Sequence, residues 1–171
     1  MQQRWIAVLA LPLILVATGA FAQEIKTLET GKIWSAYTVP EKGGLTCYLV
    51  GNPASSEPAS LPRSHVDAMV SHRVAEKAYN VVTFNLGYAA KKDAKAELVV
   101  DGRKYALFVD NDAAWTASAA TDKAVTEALA HGKSAVLKAT SARGTATTDT
   151  YDLAGFGQAL KAIDTACKVK R

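Results

Sequence analysis

The stretch AELVVDGRKYALFV, residues 96–109, decides the fold class. Two runs rich in Val, Leu, Tyr and Phe lie on either side of Asp101-Gly102. Asp-Gly between alternating runs is the strongest short-range sign of a tight β-hairpin, because both central residues of such a turn take positive φ. Tyr105, Leu107 and Val109 share one face, since side chains alternate along a strand. Working outward, the same period of two recurs. Residues 33–39 (IWSAYTV) and 45–50 (LTCYLV) flank the turn Glu41-Lys42-Gly43-Gly44 and form a second hairpin. Residues 66–73 place Val66, Ala68 and Val70 on one side, and residues 79–88 (YNVVTFNLGY) set Val82, Phe84 and Leu86 opposite Thr83 and Asn85. Residues 134–140 and 145–151 surround Ser141-Ala142-Arg143-Gly144, and the threonines of the second run suit a sheet face turned to water. Residues 23–32 read as a loose polar terminus, and residues 52–64, rich in Pro, Ser and Ala, as a surface loop.

Two stretches change period. In residues 121–131, Val125, Ala128 and Leu129 fall at i, i+3 and i+4, with Thr121 as N-cap and Gly132 as the stop. In the last stretch Leu153, Phe156, Leu160, Ile163 and Cys167 line one stripe, with Asp152 as its cap. The basic end, Lys168 to Arg171, reads as a frayed tail. Many short strands, Gly-marked turns and two helices predict a mainly β fold, an antiparallel β-sandwich with a short helix and a C-terminal helix.

Ahead of these segments, Arg4 precedes an apolar run from Trp5 to Val16, and small residues follow, ending Ala20-Phe21-Ala22. A charged start, an apolar middle and an A-x-A end mark a secretory signal peptide. The run is shorter than the about 20 apolar residues a membrane-spanning helix needs. Residues 1–22 are thus expected to be removed and residues 23–171 to form a single exported domain without a transmembrane segment. Its expected location is the periplasm, or beyond it the cell surface or medium. The 171 residues carry 20 Lys and Arg against 16 Asp and Glu, a formal net charge of +4. So small a surplus, with no clustered patch, gives no reason to expect a nucleic-acid partner.

Two cysteines, Cys47 and Cys167, remain in the exported part. An even count in an exported chain points to a disulfide, two free buried thiols being the alternative. A closed loop of over a hundred residues would contribute up to about 5 kcal/mol in the chain-entropy treatment. Their distance in sequence, far from C-x-x-C, argues for a structural bridge and not redox chemistry.

Catalytic and metal-binding signals are weak. His65 and His72 lie seven apart within or beside one strand, on opposite faces, which is poor geometry for one metal ion. His131 ends a helix, where a cation is favourable. The three are expected to be surface or capping histidines. No G-x-S-x-G, phosphate loop or dinucleotide fingerprint occurs. Lys91, Lys92 and Lys95, with Asp93 between them, read as a solvated turn. Trp34 and Trp115 are each expected to be partly buried. No catalytic residue, metal ligand or cofactor is therefore assigned.

The order of segments carries a resemblance. WSAYTV, TCYLVGNP, VSHR, NVVTFNLGY, VDGRKYALFVDNDAAW, the helix ending AHG, and TSARGTATTDTYDLAGFGQALKAIDTAC together resemble the invasion-associated locus B family of exported bacterial proteins, from about Trp34 to Cys167. The most specific parts are Cys47-Tyr48, Gly87-Tyr88, the turn from Asp112 to Trp115, and Ser-x-Arg-Gly-Thr beginning at Ser141. Two positions depart from the pattern. Val74 stands where Pro is expected and should loosen one turn; Asp152 replaces Ser and is an equally good cap. The resemblance implies an immunoglobulin-like β-sandwich and supplies neither an enzymatic activity nor a cofactor.

The expected function is therefore a non-enzymatic envelope protein acting through contact with an unknown protein partner of the host cell or the envelope. The polar strand at residues 141–148, with Ser141, Arg143, Thr145 and Thr147, is its expected contact surface and a free edge for strand pairing. The alternatives are a periplasmic small-ligand carrier, with an apolar pocket lined by Trp or Tyr, and a hydrolase built on a buried His–carboxylate pair beside a hydroxyl.

Overall fold

The computed structural model describes residues 24–91 and 93–171. The signal-peptide reading of residues 1–22, and Lys92 of the lysine cluster, lie outside the described residues. Eleven strands and two helices form, eight of the strands where the alternation above placed them and β1, β4 and β9 besides: β1 (Lys26–Thr30), β2 (Trp34–Glu41), β3 (Gly44–Gly51), β4 (Ser55–Glu57), β5 (Asp67–Arg73), β6 (Ala78–Asn85), β7 (Lys95–Val100), β8 (Arg103–Asp110), β9 (Ala113–Trp115), α1 (Ala119–His131), β10 (Ser134–Thr140), β11 (Ala146–Asp152) and α2 (Phe156–Cys167).

The strands join one antiparallel sheet in the order β1-β2-β3-β5-β6-β9-β8-β7-β10-β11-β4. The hairpin at Asp101-Gly102 pairs β7 with β8, and both turn residues have positive φ, 45° and 87°. The three-residue β9 links two halves, and the sheet folds over so that their inner faces meet. Trp34 of β2 and Phe84 of β6 pack on Tyr151 of β11, with ring centroids 6.3 and 5.7 Å apart. The Trp34 indole N–H donates to the carbonyl of Asp152 at 2.8 Å. Where the second half does not reach, α1 packs on β6 and α2 on β2 and β3. The molecule is the expected mainly β sandwich, completed by a C-terminal helix.

Several local expectations change. The terminus expected to be loose forms β1, because Leu28 packs against the core and the backbone pairs with β2. The loop at residues 52–64 contains β4, which pairs with β11 through backbone groups that leave no side-chain signature. Ser118, not Thr121, caps α1; its hydroxyl accepts the Thr121 N–H at 3.2 Å. Asp152 closes the preceding turn by accepting the Ala154 N–H at 2.9 Å, and α2 starts later, at Phe156. The turn after Val74 is closed by hydrogen bonds, Val74 N–H to Leu45 and Lys77 N–H to Val74. Trp34 is 1% exposed and not partly buried, since it fills the seam between the halves, while Trp115 is half-buried as expected. The apolar stripe of α2 is buried throughout.

The two outer faces of the sheet differ. Cross-strand partners share a face. On the first half one outward row runs Ser35, Val50, Met69, Thr83, Trp115 and Phe108, and the next runs Tyr37, Tyr48, Ser71 and Val81. On the second half Lys104, Glu97, Lys138 and Thr148 point outward, with Lys104 and Glu97 paired at 3.2 Å. That face is solvated, as one side of an antiparallel sheet commonly is.

Candidate functional site at the loop end

One end of the sandwich is built by four segments that the sequence keeps far apart. Leu86 follows β6, and the chain from Leu86 to Lys91 runs between two neighbours. Leu86 N–H donates to Asp112 at 2.8 Å, Ala90 N–H to Asn111 at 2.8 Å, and Lys91 N–H to Thr140 at 3.2 Å. Ala142 N–H donates to Ala89 at 2.8 Å, and Ser64 N–H to Gly87 at 2.9 Å. Gly87 has φ +71°, and a Cβ there would lie 2.9 Å from the His65 carbonyl and 3.2 Å from Arg63 Cβ. Only glycine fits, because the backbone is left-handed and the neighbouring chain touches it.

Beneath this lattice lies a buried ion pair. Arg63 donates two parallel hydrogen bonds to Asp149, at 2.6 and 2.7 Å, and its Nε donates to the Leu86 carbonyl at 2.8 Å. The side chains are 7% and 1% exposed. The fork geometry satisfies both carboxylate oxygens, the arrangement that makes such a pair tolerable inside a protein. Burial works against the Arg63 charge, but the Asp149 hydrogen bonds and field outweigh it and hold the guanidinium protonated. Tyr88 lies over Arg63, its ring 5.1 Å from the guanidinium carbon, and shares a 2.6 Å hydrogen bond with Thr147. Burial raises its phenol above the ordinary range, against the Thr147 bond and the Arg63 charge.

The surface above is a cleft of about 360 Å³ lined by Leu61, Pro62, Gly87, Tyr88, Ser141 and Arg143. The turn beside it is tied by Ser141, whose hydroxyl accepts the Thr145 N–H at 3.1 Å and whose backbone pairs with Thr145. Of the expected contact residues, Arg143 is exposed and Thr145 half-buried, but Ser141 and Thr147 are buried. The strand carrying them is not a free edge, because β11 pairs with β10 on one side and β4 on the other. Thr147 points inward to Tyr88. The open face expected there is thus reduced to the turn and its Arg143.

The opposite end holds the expected bridge. Cys47 of β3 and Cys167 of α2 form a disulfide spanning 120 residues. Beside it, His72 is 0% exposed, against the expectation of three surface or capping histidines; His65 and His131 are exposed. His72 sits where the β5–β6 register shifts between Ser71 and Arg73. Its Nδ1 accepts the Asn80 N–H at 3.0 Å, replacing a ladder bond, which leaves Nε2 to donate to Asp164 at 2.8 Å. Arg171, expected to fray, donates to Asp164 at 2.6 Å and to Glu127 at 2.9 Å. Burial pushes the Asp164 carboxyl upward, but the bonds from His72 and Arg171 prevail and hold it below the usual carboxylate range. Both ring nitrogens of His72 and both oxygens of Asp149 are already engaged, so neither cluster offers a free base beside a hydroxyl. Among the described residues no group of three or more His, Cys, Asp or Glu side chains is placed to hold a metal ion. No described helix is long and apolar enough to cross a membrane.

Arg63 and Asp149 were missed by sequence reading. Asp149 shares the inward parity of Thr147 and Tyr151 on its strand, a signal that one charge must be buried, but nothing local names its partner.

Among curated proteins and among solved structures, none matches the chain significantly. The family described as Invasion associated locus B (IalB) protein matches residues 34–164, most of the chain, and spans both ends of the sandwich. The chain belongs to the invasion associated locus B family.

Proposed function

We propose that this chain is a non-enzymatic, exported protein of the bacterial envelope that acts by binding another protein through its loop end, in host-cell entry or in envelope upkeep. One observation carries the reading. Gly87-Tyr88, the Asp112 turn and the Ser141-Ala142-Arg143 turn, which carry the family resemblance, converge on one rigid platform that leaves Arg143 exposed at a shallow cleft. Rigid platforms presenting a few exposed side chains suit recognition, because little entropy is lost on binding. The long-range disulfide supports an extracytoplasmic site of action. The small-ligand carrier is less well supported, since Trp34 and Tyr151 pack on each other instead of lining a chamber. A hydrolase is less well supported because the buried histidine has no nitrogen to spare.

The test is complementation of a strain lacking the protein. Arg143→Glu, exported in normal amount and with unchanged melting, should restore host-cell entry or resistance to envelope stress at least tenfold less well than the native chain. Full restoration in both assays would remove the loop end as the working surface.

A further inference from the structure

The loop-end cleft is distinguished by the hydrogen-bonding groups it leaves unused. Its lining side chains are apolar, aromatic or donors, and no carboxylate is among them. Arg143 is exposed and forms no ion pair among the described residues. Beneath the cleft Arg63 is engaged by Asp149, so Arg143 is the uncompensated charge of the site. Ser141 is 4% exposed, and its oxygen already accepts the Thr145 N–H. What it has left to offer is its hydroxyl hydrogen, which meets no acceptor among the described residues. The Tyr88 hydroxyl is turned to Thr147. The backbone repeats the pattern. The carbonyls of Gly87, Ala89 and Ser141 accept from Ser64, Ala142 and Gly144. The N–H groups of Gly87, Tyr88, Ala89 and Arg143 donate to nothing among the described residues. A neighbouring cleft shares Gly87, Tyr88 and Ala89 but carries Asp112, so an anion is favoured on the Arg143 side. Unused donors around one cation select a group with several acceptor lone pairs. A carboxylate has two oxygens and about four lone-pair sites, and it pairs bidentately with a guanidinium.

The shape of the cleft selects where that carboxylate comes from. Its volume of about 360 Å³ lies near the lower end of ligand pockets, roughly 300–1,000 Å³. That is room for the end of a chain and not for a helix about 10–12 Å across. Addition of a strand is closed off, because β11 is paired on both sides and the 86–91 segment already donates to its two neighbours. The floor is shut by Tyr88 over the Arg63–Asp149 pair. An Asp or Glu within a running chain would bring backbone through the cleft in two directions, whereas a chain terminus brings it in one. An α-carboxylate also sits beside its own side chain. One terminal residue can therefore reach Arg143 with its charge and the wall of Leu61 and Pro62 with its side chain.

We infer that the loop-end cleft captures the C-terminal carboxylate of a partner protein whose last residue is apolar. Arg143 supplies the counter-charge, the Ser141 hydroxyl and the unused N–H groups of the 87–89 segment supply donors, and Leu61 and Pro62 pack the last side chain. Capture of a chain end by backbone N–H groups is a recurring mode of peptide recognition. The inference rests on the loop end as the working surface and adds what that surface takes. The probe is a library of short synthetic peptides with free C-terminal carboxylates, screened on the disulfide-bonded chain. Each peptide that binds is then made again with a C-terminal amide. Binders should end in an apolar residue and should shift the amide signals of Tyr88 and Ala89 in NMR spectra. Amidation should weaken binding at least about tenfold, as should Arg143→Gln, and Arg143→Lys should recover part of the loss. Arg143 is exposed, and unchanged melting will show that the fold persists. No binder, or binders that hold as tightly with the amide as with the carboxylate, would overturn the inference. If such amide-tolerant binders were lost in Arg143→Glu, the loop end would stand as the working surface with a different ligand. Binders indifferent to every Arg143 substitution would count against both readings. An N-acetylated amino acid that binds as tightly as the peptides would also overturn the inference, because it would assign the cleft to a free small acid.

Discussion

The two ends of the sandwich solve one problem in different ways. Each must fix parts of the chain that lie far apart in sequence. At the loop end the link is electrostatic: Arg63 and Asp149, 86 residues apart, form a bidentate pair that is almost wholly out of water. At the helical end the link is covalent, Cys47 to Cys167, and a polar cluster of His72, Asp164 and Arg171 grades outward from it toward solvent. A covalent link acts mainly by restricting the unfolded chain, so opening it strands no charge in the folded state. A buried ion pair differs, because losing one partner strands the other as an uncompensated charge. The loop end should therefore be the more fragile of the two.

The sharpest way to break this contrast is to remove one buried charge. Asp149→Ala should cost about 3–5 kcal/mol in urea unfolding, and the double variant Arg63→Met, Asp149→Leu should recover most of that loss. A cost near zero for the single variant would show that the pair does not hold the loop end. Opening the covalent link comes next. Cys47→Ser with Cys167→Ser should cost about 2–4 kcal/mol, with helix α2 becoming the first element to exchange its amide hydrogens. If α2 stayed protected while the loop end opened, the assignment of anchors would be reversed.

Smaller effects test the polar cluster. Asp164→Asn should cost about 1–2 kcal/mol at neutral pH, since it weakens hydrogen bonds to a charged group. Asp164 is held below its ordinary 3.8, so its contribution is complete well above that pH and is lost as the pH falls through 3.8 and below. The gap between native and variant should close over that acid range; a gap that widened there would contradict the ion-pair account. Arg171→Ala, at the exposed edge, should cost only about 0.5 kcal/mol and should shrink further in high salt.

The sequence by itself determined the local structure. Period-two alternation placed eight of the strands near their observed positions, Asp101-Gly102 specified its turn, and the stripe from Leu153 to Cys167 specified which face of α2 is buried. These features were legible because each depends on neighbours a few residues away. Cysteine pairing was legible for another reason: two thiols in an exported chain leave one intramolecular pairing. What only the tertiary structure decided are the partners across the fold. β1 and β4 exist because β2 and β11 offer them unpaired backbone groups, with Leu28 of β1 also meeting a core that distant segments build. His72 is buried because a shift in strand register turns its Nδ1 into a substitute for a ladder carbonyl, and a helix from the far end of the chain supplies Asp164. Thr147 points inward, and Ser71 and Thr83 lie sunk among aromatic rings, because the order of strands decides what stands beside each residue. Periodicity along a chain says which way a side chain points; only the meeting of distant segments says what it meets there.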